Sequence, residues 1–212
     1  MNPISITCFG HSCFLLEHQN SKVLIDPSKK SHSQVEGDII YATHHHWDHT
    51  AGIDTFLETN APNGVLISNS QVTKKYAKFG DQIITIKDGE CLTRGRWELE
   101  FIRGKHGFFR GVENIGIVVK TPSFTFGHLG DSINFEGFAN LDLDMLAVPI
   151  GSIFTASPKG AIKELHKFKK PLPSIIPMHW LWRNPRGFCK NLIKEFPEAK
   201  CIVPKKGEKI SY

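Results

Sequence analysis

The sequence predicts an α+β/αβ fold, a four-layer αβ/βα sandwich with both sheets inside. Two observations carry this. Short, apolar, β-rich runs dominate the start of the chain and then alternate with helical patterns, so the chain reads as two similar halves. A length of 212 residues with 40% hydrophobic content suits one large core. With no short internal repeat and no linker, residues 1–212 are expected to form a single domain.

Each element follows from its pattern. Residues 3–27 hold two or three short strands, and 39–43 is a buried strand. Thr50-Ala51-Gly52 starts a helix that carries Ile53, Phe56 and Leu57 at helical spacing. A strand over 64–68 precedes a helix over 70–79 that ends at Gly80. Strands over 82–86 and 91–102 flank the turn Asp88-Gly89, and 114–121 with 123–126 form a hairpin about Thr121-Pro122. A strand over 145–150 leads to a helix over 158–168 with proline in its first turn. A strand over 175–178, a helix around 188–196 and a final strand over 201–203 complete the chain. The polar stretches 28–37 and 105–113 read as flexible loops.

The chemistry concentrates at His44-His45-His46-Trp47-Asp48-His49, directly after the 39–43 strand. This H-x-H-x-D-H run delivers imidazoles and a carboxylate to one spot at the sheet edge, with no thiolate among them. Such donors suit zinc, manganese or iron. In extended chain His44 and His46 point one way and His45 the other. Asp48 and His49 come after the chain has begun to turn, so one loop can serve two metal positions. If the segment were helical, His45 and His49 would share a face instead; the strand-and-loop reading is preferred. The plain alternative is a solvated, histidine-rich surface turn, which has no need of the Asp-His ending.

Together with elements downstream, this run resembles the metallo-β-lactamase superfamily. Gly104-Lys105-His106-Gly107 resembles the family's third histidine of the first metal site. Phe126-Gly127-His128-Leu129-Gly130-Asp131-Ser132 resembles the segment whose aspartate bridges both metals, and Ser174-Ile175-Ile176-Pro177-Met178-His179 the strand ending in the last ligand. Phe9-Gly10-His11-Ser12-Cys13-Phe14, Val23-Leu24-Ile25-Asp26-Pro27 and Val148-Pro149-Ile150-Gly151 are similar to a branch that includes ascorbate-6-phosphate lactonase and phospholipase-D-like hydrolases. The resemblance implies two divalent metal ions, zinc first, with manganese or iron also suited. His44, His46 and His106 would bind one, Asp48, His49 and His179 the other, with Asp131 between them. It implies hydrolysis by a metal-bridging hydroxide, with Asp48 orienting it or taking its proton. The alternative is a non-hydrolytic diiron oxygen-binding or sensor protein built from the same ligands.

Beside these motifs His11, Asp26 and His128 either fix a ligand's orientation or hold a turn. His18, His32 and His166 read as surface residues. Trp180, Arg183 and Arg186 follow the last ligand and could hold an organic group bearing an anion, as a guanidinium matches phosphate or carboxylate; otherwise they cap the core and meet solvent. Phe108, Phe109 and Arg110 after His106 are candidates for the other side. The balance of 26 basic to 21 acidic residues, +5, favours a small anionic ester as substrate, a phosphodiester or lactone, and is too weak to argue for nucleic acid. No membrane partner is expected, and a homo-oligomer is left open. The start 1–8 lacks the pattern of a targeting segment. The five cysteines lack close pairing, which predicts reduced thiols and a cytoplasmic location.

Overall fold

Apolar runs bounded by turn residues become strands, and the strands assemble two sheets. The computed structural model describes residues 4–108, 110–169 and 171–212. Phe109 and the first three residues of the start scanned for a targeting segment therefore lie outside the described residues. By its contacts the chain divides into two compact units, Met1–Glu90 with Lys205–Tyr212, and Cys91–Pro204.

In the first unit, β1 (Ile4–Gly10), β2 (Cys13–His18) and β3 (Ser21–Ile25) form an antiparallel meander. From β3 the sheet continues in parallel through β4 (Ile39–Ala42), β5 (Val65–Ser68) and β6 (Ile83–Thr85). The inner parallel strands β4 and β5 are buried along their whole length, which is why they read as unbroken apolar runs rather than alternating ones. Two short helices flank the metal-ligand candidates: α1 (Trp47–Thr50) begins inside the H-x-H-x-D-H run and α2 (Ile53–Thr59) follows it. Ile53, Phe56 and Leu57 of α2 pack with Leu15, Leu24, Ile40 and Leu66 from the sheet. The helix expected over 70–79 is α-helical only in α3 (Ser70–Thr73); the chain then tightens into 3-10 turns over Lys74–Gln82, interrupted where Gly80 takes a φ of 54°.

The second unit builds β7 (Cys91–Arg94), β8 (Trp97–Lys105), β9 (Glu113–Thr121) and β10 (Phe124–His128) as antiparallel neighbours. It then adds β11 (Met145–Pro149) and β12 (Ser174–Met178) in parallel. The single strand expected over 91–102 is thus two, folded back at Gly95, whose φ is 58°. Helix α4 (Pro158–Leu165) is capped by the Ser157 hydroxyl, which accepts from the Gly160 N–H at 3.0 Å. Asn184 caps α5 (Pro185–Glu195) in the same way through Gly187.

Several expectations need correction. The final strand is Glu208–Ser211, which pairs with β1, while Cys201 makes only an isolated bridge to Ile175. A charged, exposed edge strand carries no apolar alternation, so its sequence gave little sign of it. Cys189 and Cys201 form a disulfide, with Cα atoms 5.5 Å apart. Reduced thiols throughout were expected; only Cys8, Cys13 and Cys91 are free. The bridge closes a helix and its return, a pairing that spacing alone does not reveal. His18 and His32 are buried, not surface residues, whereas His166 is exposed as expected. The stretch 28–37 contains the short turn Lys30–His32 and buries Ser28, His32 and Ser33. Among the described residues no helix is long and apolar enough to cross a membrane.

Candidate metal centre

Most candidate ligands follow the carboxyl ends of strands in the parallel part of each sheet, where open α/β sheets place ligand sites; His106 instead follows the antiparallel strand β8. In the first unit, β3 leads to Asp26, β4 to Thr43 and His44, and β5 to Asn69. In the second, β10 leads to Asp131, β11 to Gly151 and β12 to His179.

In the first unit the buried Asp26 organises the rest. One carboxylate oxygen accepts from the Thr43 N–H at 2.8 Å; the other accepts from the Thr43 hydroxyl at 2.9 Å and pairs with His49 Nδ1 at 2.7 Å. A carboxylate only accepts, so His49 carries its proton on Nδ1 and presents the Nε2 lone pair. The Thr43 hydroxyl, its proton given to Asp26, accepts from His44 Nδ1 at 3.0 Å. His44 therefore also presents an Nε2 lone pair, which faces His46 Nδ1 at 3.0 Å. One buried carboxylate thus sets the tautomers of two candidate ligands; these assignments follow from the hydrogen-bond network.

The ring of His45 turns away to Gln71 Oε1 at 3.0 Å, and its carbonyl accepts from Lys75. His44–His46 are non-helical, as the strand-and-loop reading expects, but the helix begins at Trp47 rather than Thr50, so Asp48 and His49 lie in its first turn. Asn69 holds the same loop, donating to the Thr43 carbonyl at 3.1 Å while its Oδ1 accepts from Gln71 and Val72 at the start of α3. Asp48 is half-buried. Its Oδ2 lies 2.9 Å from His11 Nε2 and 3.9 Å from His49 Nε2. His11 occupies a left-handed turn, φ 56°, and grips the Asp48 carboxylate from there. Candidate ligand atoms of His11, Asp48 and His49 lie within 4.8 Å of one another.

In the second unit Asp131 Oδ2 lies 3.3 Å from His179 Nε2 and 3.8 Å from His106 Nε2, and all three residues are buried. Asn114 on β9 fixes this aspartate. Its side-chain oxygen accepts from the Asp131 N–H at 3.0 Å, and its amide donates to Ser132 Oγ and the Leu129 carbonyl. A side chain at Gly104 would run into Ser132 Oγ, so the approach of β8 to this turn requires glycine. Gly151 has the matching role at His179: a Cβ there would lie 2.5 Å from the His179 carbonyl oxygen and 2.9 Å from its Nδ1. His128 Nδ1 accepts from the Gly130 N–H at 3.2 Å, which steadies the turn entering Asp131. Trp180 is half-buried, while Arg183 and Arg186 are exposed.

The structure thus brings His44, His46, Asp48 and His49 together in one unit with His11 and Asp26 around them, and His106, Asp131 and His179 together in the other. Thr43, Asn69, Asn114 and Ser132 escaped sequence reasoning. For Asn114 no local signal existed, as its partners lie fifteen or more residues away. The donor set fits a divalent metal: nitrogen and carboxylate oxygen, with the ring protons of His44 and His49 directed to Thr43 and Asp26 and away from their Nε2 lone pairs.

Comparison with known proteins points the same way. A UPF0173 metal-dependent hydrolase of Pyrobaculum islandicum is 28% identical over 97% of this chain and 98% of its own length. Among solved structures, the metallo hydrolase Igni18 of Ignicoccus hospitalis superposes with a TM-score of 0.80 at 18% identity, covering 99% of this chain and 98% of that one. The metallo-β-lactamase fold protein YhfI of Bacillus subtilis gives 0.80 at 15% identity over the full length of both. These likenesses show the αβ/βα sandwich fold. The model of the β-lactamase superfamily domain matches residues 5–179. The chain belongs to the metallo-β-lactamase superfamily.

Proposed function

We propose that the protein is a metal-dependent hydrolase with two divalent metal ions, acting on a small anionic ester such as a phosphodiester or lactone. His44, His46 and His106 would hold one ion, Asp48, His49 and His179 the other, and Asp131 would serve both. The observation that carries this reading is the directed tautomers of His44 and His49. Asp26 turns both Nε2 lone pairs outward, an arrangement of use only to a cation or a donor. Relatives named as metal-dependent hydrolases support it. So does the family match across both compact units, which also supports reading residues 1–212 as one domain.

Metals at such a site supply Lewis acidity and lower the pKa of water toward ~7. The chain's own groups do the rest. Asp48, held by His11 and half open to solvent, orients water or takes its proton. Arg183, with Arg186 behind it, offers a guanidinium to a phosphate or carboxylate, and Trp180 an aromatic face.

Elemental analysis of protein never exposed to chelator should give two ions per chain, zinc first. Asp131→Ala should lose both, whereas His106→Ala should lose mainly one. A reproducible single ion unaffected by Asp131→Ala would sink the two-metal reading. Iron with visible absorption and no hydrolysis across ester panels would replace the hydrolase with the diiron alternative. Losing a charge-assisted pair typically costs about 1.5–3 kcal/mol, so Arg183→Ala should lower kcat/KM on an anionic ester roughly 10- to 150-fold. Metal content should stay unchanged, and a neutral ester of the same shape should be affected far less.

A further inference from the structure

Three loops of the second unit present large apolar side chains to solvent. Phe108 is 72% exposed, Ile153 53%, Leu181 36% and Trp182 79%. Their positions are not scattered. Phe108 lies two residues past His106, Leu181 and Trp182 two and three past His179, and Ile153 two past Gly151, the glycine seated against His179.

The three loops are fastened to one another. Gly107 donates to the Phe154 carbonyl at 3.0 Å, joining the 106 loop to the 152–155 loop. Ile150 donates to the Met178 carbonyl at 3.0 Å, joining that loop's start to the 179 loop. Ser152, His179 and Leu181 all adopt positive φ, at 85°, 50° and 50°. A non-glycine residue persists in this region only where the surroundings impose it. Constrained loops that hold apolar side chains out in water are a feature of binding surfaces.

We propose that Phe108, Ile153, Leu181 and Trp182 form an apolar rim that binds the non-reacting part of the substrate, an alkyl or aryl group several carbons long. This deepens the hydrolase reading and rests on it. The ester would be an amphiphile: its anionic, reacting end goes to the metal ligands and Arg183, its apolar end to the rim. The occupant is argued from adjacency, since each of these side chains rides on a loop that carries a ligand or supports one. A rim for a purely polar substrate has no use for a tryptophan and a phenylalanine held this far into solvent.

The test is binding of two homologous series, read by calorimetry and ligand-observed NMR. Methyl-, butyl- and hexylphosphonate are titrated into the metal-loaded protein, and the matching alcohols into both metal-loaded and metal-depleted protein. Affinity should rise about two- to fourfold per methylene in both series. Phe108→Ser and Trp182→Ser, both at exposed positions, should flatten the slope while metal content and melting temperature stay unchanged. A flat series, or a slope untouched by both substitutions, would overturn the rim. So would a dimer in sedimentation that Trp182→Ser disperses, since the face would then be a subunit contact. Phosphonates that bind no tighter than alcohols of equal length, with the slope intact, would instead count against the anionic ester and leave the rim standing.

Discussion

Replacing Asp26 with asparagine tests whether this carboxylate fixes the tautomers of the candidate ligands His44 and His49. The side chain keeps its shape, and the fully buried position is left otherwise untouched. Asp26 receives hydrogen bonds from the Thr43 N–H, the Thr43 hydroxyl and His49 Nδ1, at 2.8, 2.9 and 2.7 Å. An asparagine has one acceptor oxygen and one NH2 group. In one orientation the NH2 opposes the Thr43 N–H, leaving buried donors facing each other at a cost of about 1–3 kcal/mol. In the other it opposes the Thr43 hydroxyl and His49 Nδ1. Relief then requires His49 to move its proton to Nε2, which removes the outward lone pair. Loss of such an orienting partner typically weakens metal binding 10- to 100-fold, about 1.4–2.7 kcal/mol. Zinc competition against a chromophoric chelator measures this directly. Melting with saturating zinc provides a second reading: Asp26→Asn should gain about 3–11 °C less than the natural protein. A folded Asp26→Asn protein that binds zinc within twofold of the natural one would refute the reasoning.

Other outcomes follow from the same structure. Asn114→Ala strips the Asp131 N–H of its acceptor and Leu129 O of a donor; it should cost about 2–3 kcal/mol, lowering Tm by about 4–12 °C in a thermal melt. Gly151→Ala should displace the His179 backbone and reduce bound metal, measured by elemental analysis, at a stability cost of about 1–3 kcal/mol. Burial, then Lys206 and Lys29, holds the His32 pKa below 6.5, so the unfolded chain takes up this proton first as pH falls. His32 therefore contributes stability that is present above about pH 6.5 and is lost progressively below it. Denaturant midpoints measured from pH 7.5 down to 5 should show this fall, and His32→Gln should flatten it.

Signals that repeat locally were legible. The H-x-H-x-D-H run, the apolar parallel strands and the proline-led start of helix α4 each concentrate their evidence within a few residues; the run follows β4 and α4 starts at Pro158 as expected, though α4 ends at Leu165, short of 168. Long-range relations were not. His32 sits in a polar stretch that reads as a loop, yet its ring stacks on Phe9 with centroids 5.2 Å apart, and Ser28 lies beside it at 3.3 Å. The disulfide and the C-terminal edge strand fail for the same reason: Cys189 meets Cys201 only after a helix has folded back, and Glu208–Ser211 finds β1 from the far end of the chain. The division runs through the candidate site itself. Candidate metal ligands come from a short list of residue types, here histidine and aspartate, so composition marks them. The residues that aim them need only a hydrogen-bonding group at the right place in space. Asp26 was noticed because it ends a strand inside a matched motif; Asn114, with an equivalent task for Asp131, sits in a strand that reads as core. A site of this kind is therefore half visible in sequence by chemical necessity. The orienting half becomes apparent only when β9 and β10 are in register and Asn114 faces the turn that carries Asp131.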